Sequence, residues 1–166
     1  MGSAGCVAGV AMFLAVGGGG ASHSTESATR PTTASAEKSC FLLYEIGVGE
    51  IRRAPSAACR TRVSPQSTFK IPHALAALDA GVLADADTSF AYDGSAQPYE
   101  AWRRDQTLAS AMRFSVVWYF QRVAEKLGEV REREYVRRFE YGNADSSSGL
   151  TSFWLGGSLT ISPEEQ

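Results

Sequence analysis

The 166 residues are 44% hydrophobic and 20% charged, with a formal net charge of −2, a globular composition with room for one domain and not two. The near-neutral balance removes the electrostatic case for a nucleic-acid or anionic-membrane partner. Basic residues are mostly arginine, so the three lysines, Lys38, Lys70 and Lys126, are a scarce type whose placement carries information.

The chain opens on "MGSAGCVAGVAMFLAVGGGGASHS". Val7 to Val16 is an apolar run of the length of a signal-peptide core and too short to span a bilayer. Gly19-Gly20-Ala21 offers small residues for cleavage. Residues 1–21 are therefore read as an export signal, although no Lys or Arg precedes the apolar run; a flexible low-complexity tail is the alternative. Residues 22–38, rich in Ser, Thr and Ala, read as a disordered leader, leaving 39–166 as the folded part. Cleavage would remove Cys6. The even pair Cys40 and Cys59 then fits an oxidising, periplasmic or extracellular compartment and a disulfide closing a loop of about 20 residues; two buried thiols are the alternative.

"CFLLYEIGVGEIRRA" places strand-forming residues on both sides of a glycine-bearing turn, which predicts a β-hairpin over about 40–46 and 51–57 with a four-residue connection. A bulge would be needed to bring Cys40 opposite Cys59. A helix is expected over 67–80, ended by Gly81, with Phe69, Ile71, Leu75 and Leu78 directed at the core. Pro72 removes a hydrogen bond from its first turn, so that turn should be kinked or 3₁₀-like. His73 reads as a partly exposed packing residue and not as a metal ligand; no metal-ligand spacing occurs in the chain.

"RRDQTLASAMRFSVVWYFQRVAEKLG" is helical by periodicity. Leu108 and Met112 mark one apolar face, and Val116, Tyr119, Phe120, Val123 and Leu127 another. The phase shifts at Ser115, which predicts a break there. "EVREREYVRRFE" reads as a short, solvated, charge-laced helix, "YGNADSSSG" as a loop, and "TSFWLGGSLTI" as strand, loop or both. Ser162-Pro163-Glu164-Glu165 matches the start signal of a further helix, an expectation that the chain is the front part of a longer protein.

The chemistry-bearing pattern is "SPQSTFKIPHAL". Ser-x-x-Lys at a helix start puts Ser67 and Lys70 one turn apart on one side. The unpaired N–H groups and positive end of the helix favour a developing oxyanion beside Ser67. The serine needs a base within reach, and a protonated lysine cannot serve. Burial can supply the neutral amine: bringing its pKa from about 10.4 to about 7 represents roughly 4–5 kcal/mol. By itself the pair is a weak signal, and its ordinary reading is a helix cap with a snorkelling lysine.

Ser115-Val116-Val117 at a helix break, Tyr141-Gly142-Asn143 in a turn, and Phe153-Trp154-Leu155 follow in that order. Together with "SPQSTFKIPHALAALDAG", "RDQTLASAMRFSVVW" and "FWLGGSLTISPEEQ" they resemble the penicillin-recognising serine enzymes, and most closely the class D, oxacillinase-type β-lactamases, from about Cys40 to Gln166. The resemblance implies an α/β (α+β) β-lactamase/transpeptidase-like fold: an antiparallel sheet with flanking helices beside a helical region. It implies hydrolysis of a small-molecule β-lactam through an acyl-enzyme on Ser67. Lys70 would be a carbamylated (N6-carboxylated) base, so the requirement is carbon dioxide or bicarbonate and no metal. Ser115 would relay a proton, Val117 keep the lysine pocket dry, Trp154 donate its indole N–H to the carbamate, and Tyr141 and Asn143 border the site. No nucleic acid and no membrane span is implied, and the oligomeric state stays open. One departure is plain: no Lys follows Lys126, so the family's late Lys-Thr-Gly motif is not in this chain, and no appreciable turnover, with acylation of Ser67 at best slow, is expected of it. A β-lactam-sensing module that is acylated without turnover, a transpeptidase and an inert fragment are the rival readings.

Overall fold

The computed structural model describes residues 39–54 and 56–166; the predicted signal and leader lie outside the described residues. A β-hairpin comes first, β1 over Phe41–Glu45 and β2 over Gly49–Ala54, followed by one helical turn, α1, over Ser56–Cys59. A 3₁₀ turn, Gln66–Phe69, runs directly into α2, Lys70–Asp79. A two-residue ribbon of β3 (Ser89–Phe90) and β4 (Gln106–Thr107) precedes three helices: α3 over Leu108–Arg113, α4 over Val117–Leu127 and α5 over Glu129–Arg138. The antiparallel sheets and surrounding helices are those expected of the β-lactamase/transpeptidase-like fold. The small β3–β4 ribbon is a finding beyond the expectation; two residues per strand are too short to show alternation.

The hairpin is antiparallel, and its register slips at Leu43/Tyr44: Leu43 opposes Arg52 and Tyr44 opposes Glu50, leaving Ile51 as the extra residue of a bulge. The second strand stops at Ala54, short of the predicted 57, because the chain turns into α1. That turn, with the bulge, brings Cys59 to Cys40, and the two are disulfide-bonded. The bridge spans 19 positions, so reduction should destabilise the fold by about 3 kcal/mol on the loop-entropy argument. Urea unfolding with and without reductant measures this, and coincident midpoints would show that the bridge is energetically idle.

The residues of α2 that face inward are not those the apolar pattern named. Lys70, His73, Ala74 and Ala77, spaced i, i+3, i+4 and i+7, form a buried stripe, and Ala76 is buried beside it against Leu127 and Tyr135. Ile71, Leu75 and Leu78 lie about one position out of phase and are 59%, 55% and 37% exposed. Of the four predicted core residues only Phe69 is buried, and it precedes the α-helix proper. His73 is 1% exposed, which corrects the reading of it as partly exposed. Helix α2 packs on α4, whose Val116-flanked face (Tyr119, Phe120, Val123 and Leu127) is wholly buried as predicted. Met112 is 38% exposed, so only Leu108 of the first predicted face is core. In α5, Glu132, Tyr135 and Val136 turn inward, so this helix is not a purely solvated surface.

The stretch 151–161 forms turns, with one bridge pairing Val63 with Ile161. Ser162 and Glu165 do form the reciprocal cap contacts: Glu165 Oε2 accepts from the Ser162 amide at 2.9 Å and from its hydroxyl at 2.8 Å. Arg62 pairs with the same carboxylate, and these bonds, led by Arg62, hold its pKa down to about 2. No helix among the described residues is long and apolar enough to cross a membrane.

Candidate functional site

The site begins where the chain changes helical type. Pro72 cannot donate back into the preceding turn. The residues before it accordingly form the tighter 3₁₀ turn that carries Ser67, and the α-helix starts at Lys70. Ser64 clamps the entry: its hydroxyl donates to the Trp154 carbonyl at 2.9 Å and accepts from the Gly156 amide at 2.8 Å. The Gln66 amide donates to the same Trp154 carbonyl at 3.0 Å. These bonds tie the Ser67 turn to the loop that carries Trp154.

Lys70 is 2% exposed, and its Nζ donates to Ser67 Oγ at 2.8 Å. It stands over the Phe120 ring, 5.8 Å from the centroid, and no carboxylate pairs with it among the described residues. Burial pushes the amine pKa below the ordinary lysine value. The apolar ring beside the amine is Phe120; of the two neighbours named from the sequence, Phe69 is buried and Ile71 is exposed.

Ser115 occupies the predicted break between α3 and α4 in a left-handed conformation, φ +55°. A non-glycine residue there is strained by about 1–3 kcal/mol, held by its surroundings. The result is that Ser115 Oγ donates to Ser67 Oγ at 2.9 Å, across 48 positions of sequence. One serine oxygen thus meets a buried amine on one side and a second hydroxyl on the other.

A cleft of about 440 Å³ opens onto this oxygen, lined by Ser67, Ser115 and Val117 together with Tyr99, Ala101, Trp102 and Phe114. The last four were not singled out from the sequence. Tyr99 and Trp102, an aromatic pair three apart in a polar stretch, were the signal available. Trp102 is pinned: its Nε1 donates to the Phe114 carbonyl, and the Trp102 carbonyl accepts from Trp118 Nε1, each at 2.9 Å. Gln106, fully buried, donates to the Ala101 carbonyl at 2.7 Å and fixes the loop from below.

Trp154 is fully buried and stacks on Phe69, centroids 5.8 Å apart, yet its Nε1 has no hydrogen-bond partner among the described residues. A buried N–H without an acceptor costs about 1–3 kcal/mol. An anionic acceptor on Lys70 would suit it. Tyr141 lays its edge on Phe69, centroids 5.4 Å apart, and burial pushes its phenol pKa up. Asn143 is not brought to the cleft. Its side chain donates to the Ser158 carbonyl at 2.8 Å and accepts from the Thr160 amide at 3.0 Å, knotting the Tyr-Gly-Asn turn to the last segment. Gly142 between them has φ +56°, and a Cβ there would stand 2.0 Å from the Thr160 carbonyl oxygen. His73 touches Phe69, Phe120 and Trp154, and its Nε2 lies 3.3 Å from Glu132 Oε2, close enough to pair but not aligned as a hydrogen bond. No group of three or more potential metal ligands occurs among the described residues.

Residues 24–166 match the penicillin binding protein transpeptidase domain. The chain is 42% identical over 134 residues to beta-lactamase OXA-1 of Escherichia coli, covering 76% of this chain and 48% of that one. It is 46% identical over 126 residues to a probable beta-lactamase, YbxI, of Bacillus subtilis (strain 168), covering 76% and 47%. Among solved structures, class D beta-lactamase BAT-2 superposes with a TM-score of 0.74 at 40% identity, over 76% of this chain and 53% of that one. The chain thus spans about half the length of the relatives it matches.

Proposed function

From the premise that the chain belongs to the penicillin-binding protein transpeptidase family, on its class D β-lactamase branch, we propose that its site performs the serine chemistry of β-lactam hydrolysis, the chemistry of antibiotic resistance. The observation that carries this reading is the convergence of Lys70 Nζ and Ser115 Oγ on Ser67 Oγ, at 2.8 and 2.9 Å. Ser67 attacks the lactam carbonyl and its proton passes to the Lys70 base. As the carbon–nitrogen bond breaks, the Ser115 hydroxyl hands a proton to the departing nitrogen and takes back the one Lys70 received from Ser67, which restores the base and leaves an ester on Ser67. Water activated by the same base then releases the acid. Val117 lines the cleft with both serines, an apolar side chain suited to keeping water from the amine. Carbon dioxide captured by Lys70 would supply an anionic base that needs no deprotonated amine to persist, and the orphaned indole N–H of Trp154 suits the charge. Tyr141 supports the Phe69 wall from outside the cleft, and Asn143 holds the turn that places Tyr141. Residues 1–21 serve as the export signal and 22–38 as the leader, and the Cys40–Cys59 bridge supports a periplasmic or secreted location.

Incubating the chain with a labelled penicillin should give one covalent adduct on Ser67 by peptide mass spectrometry, and none in Ser67→Ala. An adduct that persists without hydrolysed product would favour the sensing-module reading. No adduct in the parent chain would reject both.

A further inference from the structure

The lip of the cleft carries a concentration of arginine that the chemistry at Ser67 does not use. Arg104 and Arg113 both stand over the ring of Phe114, their guanidinium carbons 5.2 and 5.3 Å from its centroid, and Phe114 is a wall of the cleft. Both are exposed, and among the described residues neither forms an ion pair. Arg103 donates twice to the Gln97 carbonyl, at 3.0 and 2.7 Å, so its position is set without a carboxylate. Arg103 and Arg104 line a shallow depression with Glu100 and Ala101, and Ala101 also lines the cleft. The local acids are fewer: Glu100 is in the depression, and the Asp105 carboxylate accepts from the Tyr92 amide. Three guanidiniums against two carboxylates leave a net positive lip on a chain whose formal net charge is −2.

Stacking on one ring places both cations without neutralising either, since an aromatic face holds a guanidinium by its quadrupole and leaves its N–H fork free. Planar forks suit a carboxylate, which they can meet with two parallel bonds. We propose that Arg104 and Arg113 form an anion-capture lip that draws in and orients the carboxylate of an incoming substrate before Ser67 engages the lactam. The proposal rests on the β-lactam reading for its substrate, but the capture of a carboxylate at this lip is a property of the arginines themselves. Such surface fields act over a Debye length of about 8–10 Å and fade with salt.

The test is equilibrium binding to the full chain carrying Ser67→Ala, so that no acylation intervenes, followed by NMR titration. The probes are benzylpenicillin, its methyl ester and phenylacetate. At low salt, Arg104→Gln/Arg113→Gln should weaken benzylpenicillin and phenylacetate by roughly five- to tenfold and leave the ester unchanged, and about 0.5 M salt should erase the difference. Arg104→Lys/Arg113→Lys should retain part of the affinity, because charge survives while the fork is lost. Arginine-dependent binding of phenylacetate without binding of benzylpenicillin would keep the lip and remove the β-lactam reading. Benzylpenicillin binding indifferent to both arginines and to salt would overturn the lip and leave that reading standing. If neither anion binds, the lip is overturned as well.

Discussion

Replacing Glu132 with alanine should destabilise the protein by about 1–3 kcal/mol, the cost of leaving a buried polar group without its partner. Both members sit in the core, His73 at 1% and Glu132 at 2% exposure, on helices α2 and α5. Their polar atoms approach at 3.3 Å without an aligned hydrogen bond, so each depends on the other and on little else. Around them are the rings of Phe69, Phe120 and Trp154, which offer no hydrogen bond to the face they present. Truncating Glu132 leaves the imidazole in that apolar shell with no partner. The double replacement His73→Leu/Glu132→Met should behave differently, within about 1 kcal/mol of the parent or more stable, because no polar group then remains to be desolvated. Urea unfolding of the three proteins at one pH decides it. A single-variant loss below about 1 kcal/mol would show that the pair is better solvated than its burial indicates.

Lys70→Met should lower the rate of Ser67 acylation by about 10²- to 10⁴-fold, the span expected for loss of a positioned general base. The same change should raise stability near neutral pH, since methionine fills the space with no amine to desolvate. The two effects of opposite sign mark a functional group kept at a structural cost. The pH dependence follows from the lowered lysine pKa, whose cause is burial. The folded state binds this proton less tightly than the unfolded chain does. Between the folded midpoint and the ordinary value of 10.5, unfolding therefore takes up a proton, so stability attributable to Lys70 rises with pH through that window. Acylation should rise with pH through the folded midpoint, below 10.5. A parent chain whose acylation is flat in pH, or a Lys70→Met chain acylated at the parent rate, would exclude the lysine as base.

The uncovered apolar residues bear on both measurements. Ile71, Leu75 and Leu78 form an exposed stripe on α2, and Phe41, Leu43 and Ile51 leave the hairpin half-open, between 48% and 54% exposed. A two-stranded hairpin is marginal by itself in water. Here it is tied down by the disulfide and by Arg53, which pairs with Glu50 and, at 2.5 Å, with Glu164. Reduction and high salt should therefore loosen the hairpin before the helical core around α2 and α4.

Local rules were enough for much of the molecule. Gly47 and Gly49 marked the hairpin, Pro72 dictated the 3₁₀ turn before α2, the phase shift marked Ser115, and Ser-x-x-Lys placed two polar side chains one turn apart. Each of these depends on interactions within a few residues, and such interactions are written in consecutive letters. The buried stripe of α2 was misread for the complementary reason. Apolar periodicity points a helix toward its largest residues, but the helix began at Lys70, and packing on α4 selected Lys70, His73, Ala74 and Ala77 as the inward face. His73 found Glu132 59 positions away, Asn143 spent its side chain on residues 158–160, and Phe114 gathered two arginines at the cleft mouth. No local pattern encodes such pairings, because they form only when elements distant in the chain share one low-dielectric interior or one concave surface. The sequence by itself determined which groups could do chemistry; tertiary packing decided which of them are desolvated, and so which have the reactivity to do it.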